Sequence, residues 1–369
     1  MSATHTHPSS SSPSSSRRLP GGLVRSSDTA PGIARQRRGK GFRYLRANGK
    51  PVTDEQELQR IRSLAIPPAY RQVWICPRPD GHLQATGVDA RGRKQYRYHQ
   101  AWREAREEDK FSRLPDFAAA LPRLRRRVAR DLSMREHGRA PLLATVVRLL
   151  DTTLGRIGND QYARENGSYG LTTLCDHHVR LAGQRLELQF RGKSGVEQSL
   201  CVEDPRVARV VRRCLGLPGR ALFRYLGEDG APHCVGSAEV NDYLQTVGGA
   251  GFSAKYFRTW HASVLALDLT VRALQRQQKF TLRQLLAEVS GVLGNTPAVC
   301  RRSYIHPRVV ALATLAARKP DAAREWLARC APDANPTGLR RTERRLLAFL
   351  ACCHEAPLVV TEGARARQR

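Results

Sequence analysis

Four short segments of the chain combine arginine, lysine and tyrosine side chains that could act together on a phosphodiester. They lie at residues 156–162, 192–195, 255–260 and 294–304. Attack on a phosphodiester needs an oxygen nucleophile and cations that hold the equatorial phosphate oxygens. Each segment alone is a weak signal, because an arginine at a helix end or a lysine at a hairpin tip is usually a solvated charge.

The Gly192-Lys193-Ser194 segment is similar to the end of a nucleotide-binding P-loop, but the rest of that motif is missing. A P-loop needs a glycine five residues before its second glycine. Position 187 is Glu in a predicted strand. We therefore exclude a P-loop.

The order and spacing of the four segments resemble the catalytic set of the type IB DNA topoisomerases, in the short poxvirus-like form found in bacteria. That set runs in the order Arg, Lys on a β-hairpin, Lys-x-x-Arg and Asn/His-x8-Tyr. Further short motifs that resemble sequences of that family occur at residues 64–68, 73–77, 81–87, 91–99 and 170–173. The resemblance extends from about Gly41 to Pro307.

The resemblance implies an α+β fold: a β-rich N-terminal domain and a mainly α catalytic domain with a small β-hairpin or sheet. Together these would form a C-shaped clamp on double-stranded DNA. The implied reaction is cleavage of one strand by a tyrosine that becomes joined to the 3′ phosphate, followed by strand rotation and religation, so that supercoils relax. Neither ATP, nor a metal, nor any other cofactor is implied, because a phosphotyrosine conserves the energy of the broken bond.

The side chains suit these roles on chemical grounds. Tyr304 is the candidate nucleophile, and nearby guanidinium charge helps a phenol with an ordinary pKa of ~10 to ionise. Arg156 and Arg258 can each hold a phosphate oxygen. Lys193 on a hairpin tip can donate a proton to the leaving 5′ oxygen. By resemblance, Lys255 assists that proton transfer.

Asn295 is a departure from the viral and eukaryotic pattern, which has His at this position. An amide donates a hydrogen bond but is neither a cation nor a proton carrier. We therefore expect Asn295 to support the transition state by hydrogen bonding. The Thr296-Pro297 pair predicts that a short helix carrying Tyr304 begins directly after Asn295.

The resemblance assigns five further residues to the DNA interface. Gln95, Tyr96 and Tyr98 lie on an Arg-rich predicted strand that would reach the major groove, although an ordinary half-exposed strand fits the pattern equally well. Gly158 and Tyr162 match family positions near the phosphate, where they would act as supports.

The composition independently favours a polyanionic partner. The chain has 62 Lys+Arg against 33 Asp+Glu, a net charge of +29, which nucleic acid would balance. No apolar run approaches the ~18–20 residues of a membrane span. The nine cysteines are an odd number without a signal peptide, which argues for a reducing cytosol. They include no CxxC pair, so the spacing of most zinc sites is absent. We expect a cytoplasmic, nucleoid-associated bacterial monomer that binds duplex DNA and no membrane.

The hydrophobic and turn patterns predict four regions. Residues 1–37 form a disordered basic Ser/Pro-rich tail, 38–121 a β-rich DNA-binding domain, 122–355 the catalytic domain and 356–369 a basic tail. Asn48-Gly49 predicts a hairpin turn. Alternation at 186–190 and 196–202 predicts the hairpin that carries Lys193.

Three other functions compete with the topoisomerase prediction. A tyrosine recombinase shares the nucleophile and both arginines, but usually has His-x-x-Arg where this chain has Lys255-x-x-Arg258. A non-catalytic architectural DNA-binding protein would suit the charge and leave Tyr304 unexplained. A metal-dependent nuclease needs clustered carboxylates, which are scarce around these segments.

Overall fold

The protein is described by a computed structural model that covers residues 19–136, 138–330 and 337–355. The chain divides into two compact units, Met1–Lys110 and Phe111–Arg369. No helix in the described parts of the chain combines the length and apolar character that a membrane span requires. The predicted tail at 356–369 and the first 18 residues lie outside the described residues.

The first unit is built on a five-stranded antiparallel sheet in the order β2-β1-β3-β4-β5. Its strands are β1 (Ile33–Arg38), β2 (Gly41–Leu45), β3 (Arg71–Ile75), β4 (Leu83–Val88) and β5 (Lys94–Tyr98). Helix α1 (Glu55–Ser63) begins at Asp54, whose carboxylate accepts from the Glu57 N–H at 2.7 Å. The core of this unit contains Ile33, Val52, Ile61, Val73, Ile75 and Ala85.

The prediction that residues 1–37 form a disordered tail is wrong for its described part. Ile33 begins β1 and is buried in the core of the sheet, and Leu23 is also buried. The few apolar residues of this basic segment suffice because the strand gains backbone hydrogen bonds from two neighbours, β2 and β3. The predicted turn at Asn48-Gly49 is confirmed, with Gly49 at φ +78°.

The second unit is mainly helical. After α2 (Gln100–Ser112), which contains the boundary between the units, its helices are α3 (Leu114–Leu132), α4 (Arg139–Thr153), α5 (Asp160–Asn166), α6 (Pro205–Leu215), α7 (Ser237–Gly248), α8 (Lys255–Gln275), α9 (Leu282–Leu293), α10 (Pro297–Ser303), α11 (Pro307–Arg318), α12 (Pro320–Ala328) and α13 (Arg341–Glu355). Helix α8 is buried along most of its length and packs against α9, α11 and α13.

A small antiparallel sheet and a hairpin complete this unit. The sheet has the order β6-β7-β8, with β6 (Val179–Ala182), β7 (Arg185–Arg191) and β8 (Glu197–Glu203), and the hairpin pairs β9 (Arg224–Leu226) with β10 (Pro232–Cys234). The alternating pattern at 186–202 therefore predicted a real hairpin, β7-β8. Its inward side chains Leu186, Leu188 and Phe190 are buried.

The predicted boundary at 121/122 lies too late in the sequence. Helix α3 begins at Leu114 and buries Phe117 and Leu121 in the core of the second unit. Pro122, the first residue of the predicted catalytic domain, lies inside α3. The apolar face of α3 therefore assigns residues before 122 to the helical unit.

Candidate active site

The segment that contains Arg156 is held by a backbone contact with the 170–173 segment. Leu154, the residue after α4, turns the chain in the left-handed conformation (φ 60°). The Leu171 N–H then donates to the Arg156 carbonyl at 2.8 Å, and the Thr172 N–H donates to the Ile157 carbonyl at 2.7 Å. This pairing fixes the backbone from which the Arg156 side chain projects.

Gly158 stands where the two segments approach most closely. Its φ is +106°, and a Cβ on Gly170 would lie 2.5 Å from the Gly158 Cα. Only glycine fits such a close backbone approach. This contact explains why glycine stands at both 158 and 170. Tyr162 lies in α5 with an exposed side chain, and its N–H donates to the capping Asn159 Oδ1 at 3.0 Å.

Arg156 is tethered to the turn that follows α9. Its Nη2 donates to the Gly294 carbonyl at 3.1 Å and to the side-chain oxygen of Asn295. Gly294 ends α9 in the left-handed conformation, φ +58°. The Nδ2 of Asn295 is buried and has no hydrogen-bond partner among the described residues. The amide is therefore oriented by its oxygen and keeps its donor unused.

Arg258 lies on α8, is only 4% exposed and is held by the ends of two other helices. Its Nη1 donates to the Leu154 carbonyl, and its Nη2 donates to the Leu293 carbonyl at 2.7 Å. Carbonyls at helix C-termini lack intrahelical partners and carry partial negative charge. The Arg258 Nε is buried and unpaired within the described parts of the chain.

Tyr304 ends the short helix α10, whose first turn is capped by Thr296 as predicted. Ser263 of α8 fixes the backbone around the tyrosine, because its Oγ lies 3.3 Å from the Tyr304 carbonyl and accepts from the His306 N–H at 2.9 Å. The helix that carries Arg258 therefore also positions the candidate nucleophile. The structure differs slightly from the prediction, since Tyr304 caps α10 and Pro307 begins α11.

The electrostatics of the site make the Tyr304 phenol easier to ionise than an ordinary tyrosine. The guanidinium carbon of Arg258 lies 5.1 Å from the centroid of the Tyr304 ring. Burial raises the pKa of Tyr304. The charge of Arg258 and its side-chain interaction with the phenol, followed by the charges of Arg156 and Lys255, lower it by more, so that the pKa lies below its ordinary value. Burial lowers the pKa of Arg258. Burial, followed by the charge of Arg258, lowers the pKa of Arg156. An anion bound here would relieve this concentration of positive charge.

The two lysines stand at the margin of this group. Lys255 is the exposed first residue of α8, one turn before Arg258. Lys193 is exposed at the turn between β7 and β8, where Ser194 has φ +66°. The Lys193 side chain has no hydrogen bond or ion pair with the described residues. The structure thus brings together Arg156, Arg258, Asn295 and Tyr304, and leaves Lys193 on a neighbouring turn.

Gln198 connects that turn to the rest of the site. A Cβ on Gly192 would stand 2.8 Å from the Gln198 Cγ, and a Cβ on Gly294 would stand 2.8 Å from its Nε2. Gln198 therefore lies between the residue before Lys193 and the residue before Asn295. Neither Gln198 nor Ser263 was predicted from the sequence, where one is a polar residue in a strand and the other a serine in an apolar helix.

In the first unit, the predicted DNA-contacting residues divide between two faces of β5, the edge strand of the sheet. Tyr96 and Tyr98 are 48% and 39% exposed, and their rings stack with centroids 6.2 Å apart. Gln95 points to the other face, because side chains alternate along a strand. There its Nε2 donates to Asp89 Oδ2 at 3.0 Å. The DNA contacts of all three remain predictions.

Comparison with known proteins identifies the family to which this architecture belongs. Residues 41–89 match the family described as bacterial DNA topoisomerase IB, N-terminal domain, and residues 99–322 match eukaryotic DNA topoisomerase I, catalytic core. The chain is 30% identical over 285 residues to DNA topoisomerase 1B of Acanthamoeba polyphaga mimivirus. This alignment covers 74% of this chain and 85% of the relative.

Two poxvirus proteins are more distant relatives. DNA topoisomerase I of monkeypox virus is 23% identical, and DNA topoisomerase 1B of vaccinia virus (strain Copenhagen) is 22% identical, each over 271 residues. Each alignment covers 69% of this chain and 82% of the relative. The resemblance drawn from the sequence is thereby confirmed, and the chain belongs to the type IB DNA topoisomerase family.

Proposed function

We propose that this chain relaxes supercoiled duplex DNA by cleaving one strand through a 3′-phosphotyrosyl bond at Tyr304, letting the strand rotate and resealing it. The observation that carries the proposal is the grouping of Tyr304 with Asn295 and two arginines, of which Arg258 is buried and Arg156 half-buried. Cations and hydrogen-bond donors placed beside the nucleophile stabilise the negative charge that develops on the phosphate during attack.

The unpaired donors of the site define where the phosphate would bind. Arg258 Nε and Asn295 Nδ2 are both buried and both lack partners in the described chain. A buried unpaired donor is costly, and a nonbridging phosphate oxygen would satisfy it. Arg156 and Arg258 would neutralise the phosphate and hold it beside the phenol.

The chemical step is a transesterification that balances without a co-reactant. The Tyr304 phenol releases its proton to solvent and its oxygen attacks phosphorus, the bond from phosphorus to the 5′ oxygen breaks, and that oxygen takes a proton from Lys193. Religation is the reverse, with the 5′ hydroxyl attacking the phosphotyrosine and returning its proton to Lys193. Lys255, one turn from Arg258, would lower the pKa of Tyr304 further and assist the proton transfer.

The finer parts of the account are also proposals. The two units would together clamp the duplex, with Tyr96 and Tyr98 supplying contacts from the first unit. Gly158 and Tyr162 would support the phosphate from the second unit. The expectations of a monomer and of a cytoplasmic, nucleoid location stay predictions.

The test is relaxation of a supercoiled plasmid that carries no special sequence, in excess EDTA and without ATP. We expect complete relaxation, since no proposed step uses a metal or nucleotide. Dependence on one particular DNA sequence would favour a recombinase, and a strict need for Mg²⁺ in a single cleavage event would favour a nuclease.

A further inference from the structure

A buried cluster of charged side chains lies behind the arginines of the active site. Arg125 of α3 donates through Nε and Nη2 to the two oxygens of Asp151 on α4, both at 2.9 Å. It also donates through Nη2 and Nη1 to Glu343 on α13, at 2.7 and 2.8 Å. His261 of α8 completes the cluster, with its Nε2 at 2.9 Å from Asp151 Oδ1.

The carboxylates of the cluster are buried, and every N–H of the Arg125 guanidinium is hydrogen bonded. The side chains of Asp151 and Glu343 are 4% and 1% exposed. A guanidinium has five N–H donors, and the fifth bond of Arg125 goes from Nη1 to the Gly338 carbonyl at 3.2 Å. Although Asp151, His261 and Glu343 are close enough to suggest a metal site, Arg125 already occupies the carboxylate oxygens. The guanidinium of Arg125 therefore takes the place that a metal ion would occupy, and it serves as the structural cation of the cluster.

The position of the cluster relates it to both catalytic arginines. His261 is three residues after Arg258 on α8, so the two lie one turn apart on the same helix. Asp151 is three residues before Leu154, whose carbonyl accepts from Arg258, and five residues before Arg156. The cluster thus joins the two helix segments that place these arginines.

Glu343 comes from a part of the chain that follows the family match, which ends at residue 322. Helix α13 packs on α8 and α3 and buries Leu346, Phe349 and Leu350. Hydrogen bonds keep this carboxylate charged. Burial raises the pKa of Glu343, but the hydrogen bonds from Arg125 and from the Arg340 N–H lower it by more.

We propose that Glu343 is a positioning residue for the cleavage reaction, acting through Arg125 and Asp151 on the ends of α4 and α8. This inference rests on the proposed function. Loss of the Glu343 carboxylate leaves two buried N–H donors of Arg125 without acceptors. The ends of α4 and α8 that carry Asp151 and Arg258 are then held less firmly in place. Small displacements of catalytic groups are expensive, with about 10²-fold lost for a shift of ~1 Å.

The experiment compares Glu343→Gln with Arg345→Gln, measuring the single-turnover cleavage rate at saturating protein, the DNA affinity and the Tm. Arg345 is a matched control, because it lies on the same helix and its Nη1 pairs with Asp268 of α8 at 3.5 Å. We expect Glu343→Gln to slow cleavage between about 10- and 100-fold with little change in DNA affinity. Arg345→Gln should cleave at the wild-type rate.

A double-variant measurement separates positioning from a general loss of structure. If Glu343 acts through Arg258, Glu343→Gln should slow cleavage much less in an Arg258→Lys background than in the wild type. Full additivity, or equal losses in the two α13 variants, would overturn the inference. If Glu343→Gln does not fold, Glu343→Asp is measured instead, with the same expectations. Failure of wild-type protein to form a covalent adduct would refute the proposed function, whereas normal cleavage by Glu343→Gln would refute only this inference.

Discussion

Arg156 Nη2 donates to the side-chain oxygen of Asn295, and the nitrogen of the same amide is left buried and unpaired. In the proposed reaction, this arrangement gives Asn295 two functions. Its oxygen fixes the guanidinium, and its N–H remains free for a phosphate oxygen. A histidine, the residue of the viral and eukaryotic pattern, could supply the N–H donor. A protonated histidine could not accept from Arg156.

Substitutions at Asn295 separate these two functions. Asn295→Ala removes both and should slow single-turnover cleavage by about 10², the lower end for loss of one preorganised donor, since Arg156 and Arg258 remain. Asn295→Asp keeps an acceptor for Arg156 but loses the donor and adds a negative charge beside the phosphate, so it should cleave more slowly than Asn295→Ala. Asn295→His should retain substantial activity and gain a pH dependence between about 5 and 8. An alanine variant as fast as wild type would show that Asn295 only precedes a helix cap.

Lys193 can be tested through the leaving group. If it protonates the 5′ oxygen, Lys193→Ala should slow cleavage by about 10²–10⁴. In a substrate with sulfur at the bridging 5′ position, the 5′ thiolate leaves without needing a proton. This substrate should therefore restore the cleavage rate of Lys193→Ala. Lys279→Ala, which removes another exposed lysine of the same unit, is the control. An equal defect on oxygen and sulfur substrates would mean that Lys193 does not donate the proton.

The exposed aromatic pair on β5 offers a test of the first unit. Replacing both Tyr96 and Tyr98 by alanine should weaken binding to duplex DNA about tenfold, which corresponds to ~1.4 kcal/mol at an interface. Cleavage at saturating protein should change little. Phe42→Ala is the control, because Phe42 is an exposed aromatic residue on β2 at the opposite edge of the same sheet. Unchanged affinity in the double variant would remove these tyrosines from the DNA interface.

The sequence predicted most elements whose patterns are local. The Asn48-Gly49 turn, the β7-β8 hairpin and the Thr296-Pro297 helix start depend on a few adjacent residues, and all are present. Strand β1 was missed because its stability comes from pairing with β2 and β3. The first part of helix α3 was assigned to the wrong domain because the predicted boundary at 121/122 falls inside the helix, and its true unit is set by the core against which its apolar face packs.

The same distinction applies to the site. Arg156, Arg258, Asn295 and Tyr304 were identifiable because their order and spacing follow a family pattern. Ser263, Gln198 and the cluster around Arg125 were not, because each acts through contacts between residues far apart in the chain. Arg125 and Glu343, for example, are separated by 218 positions, and no local pattern relates them.

The buried cluster predicts a pH dependence of stability. Burial raises the pKa of Asp151, but hydrogen bonds from His261 and Arg125 lower it by more, so that it lies well below its ordinary value. A carboxyl with a lowered pKa stabilises the fold fully above its ordinary pKa of ~4, and this contribution is lost as the pH falls. Asp151→Asn should therefore destabilise the protein by about 3 kcal/mol at pH 7, as expected for removing one partner of a buried ion pair.

The same variant should show a shallower loss of stability below about pH 5 than the wild type, as measured by denaturant unfolding at several pH values. Asp321→Asn is the control, because Asp321 is 87% exposed in its pair with Arg324, and it should follow the wild-type profile. Parallel profiles for wild type and Asp151→Asn would contradict the assignment.

The central claim is that Tyr304 attacks DNA. The most direct measurement incubates the protein with a labelled duplex, isolates the covalent adduct and maps the attached residue by mass spectrometry. We predict a 3′ phosphate joined to Tyr304. Tyr304→Phe should form no adduct and relax no plasmid while binding DNA normally, and Tyr225→Phe, at a half-buried tyrosine of the same unit, should behave as wild type. An adduct at another residue, or relaxation by Tyr304→Phe, would contradict the account.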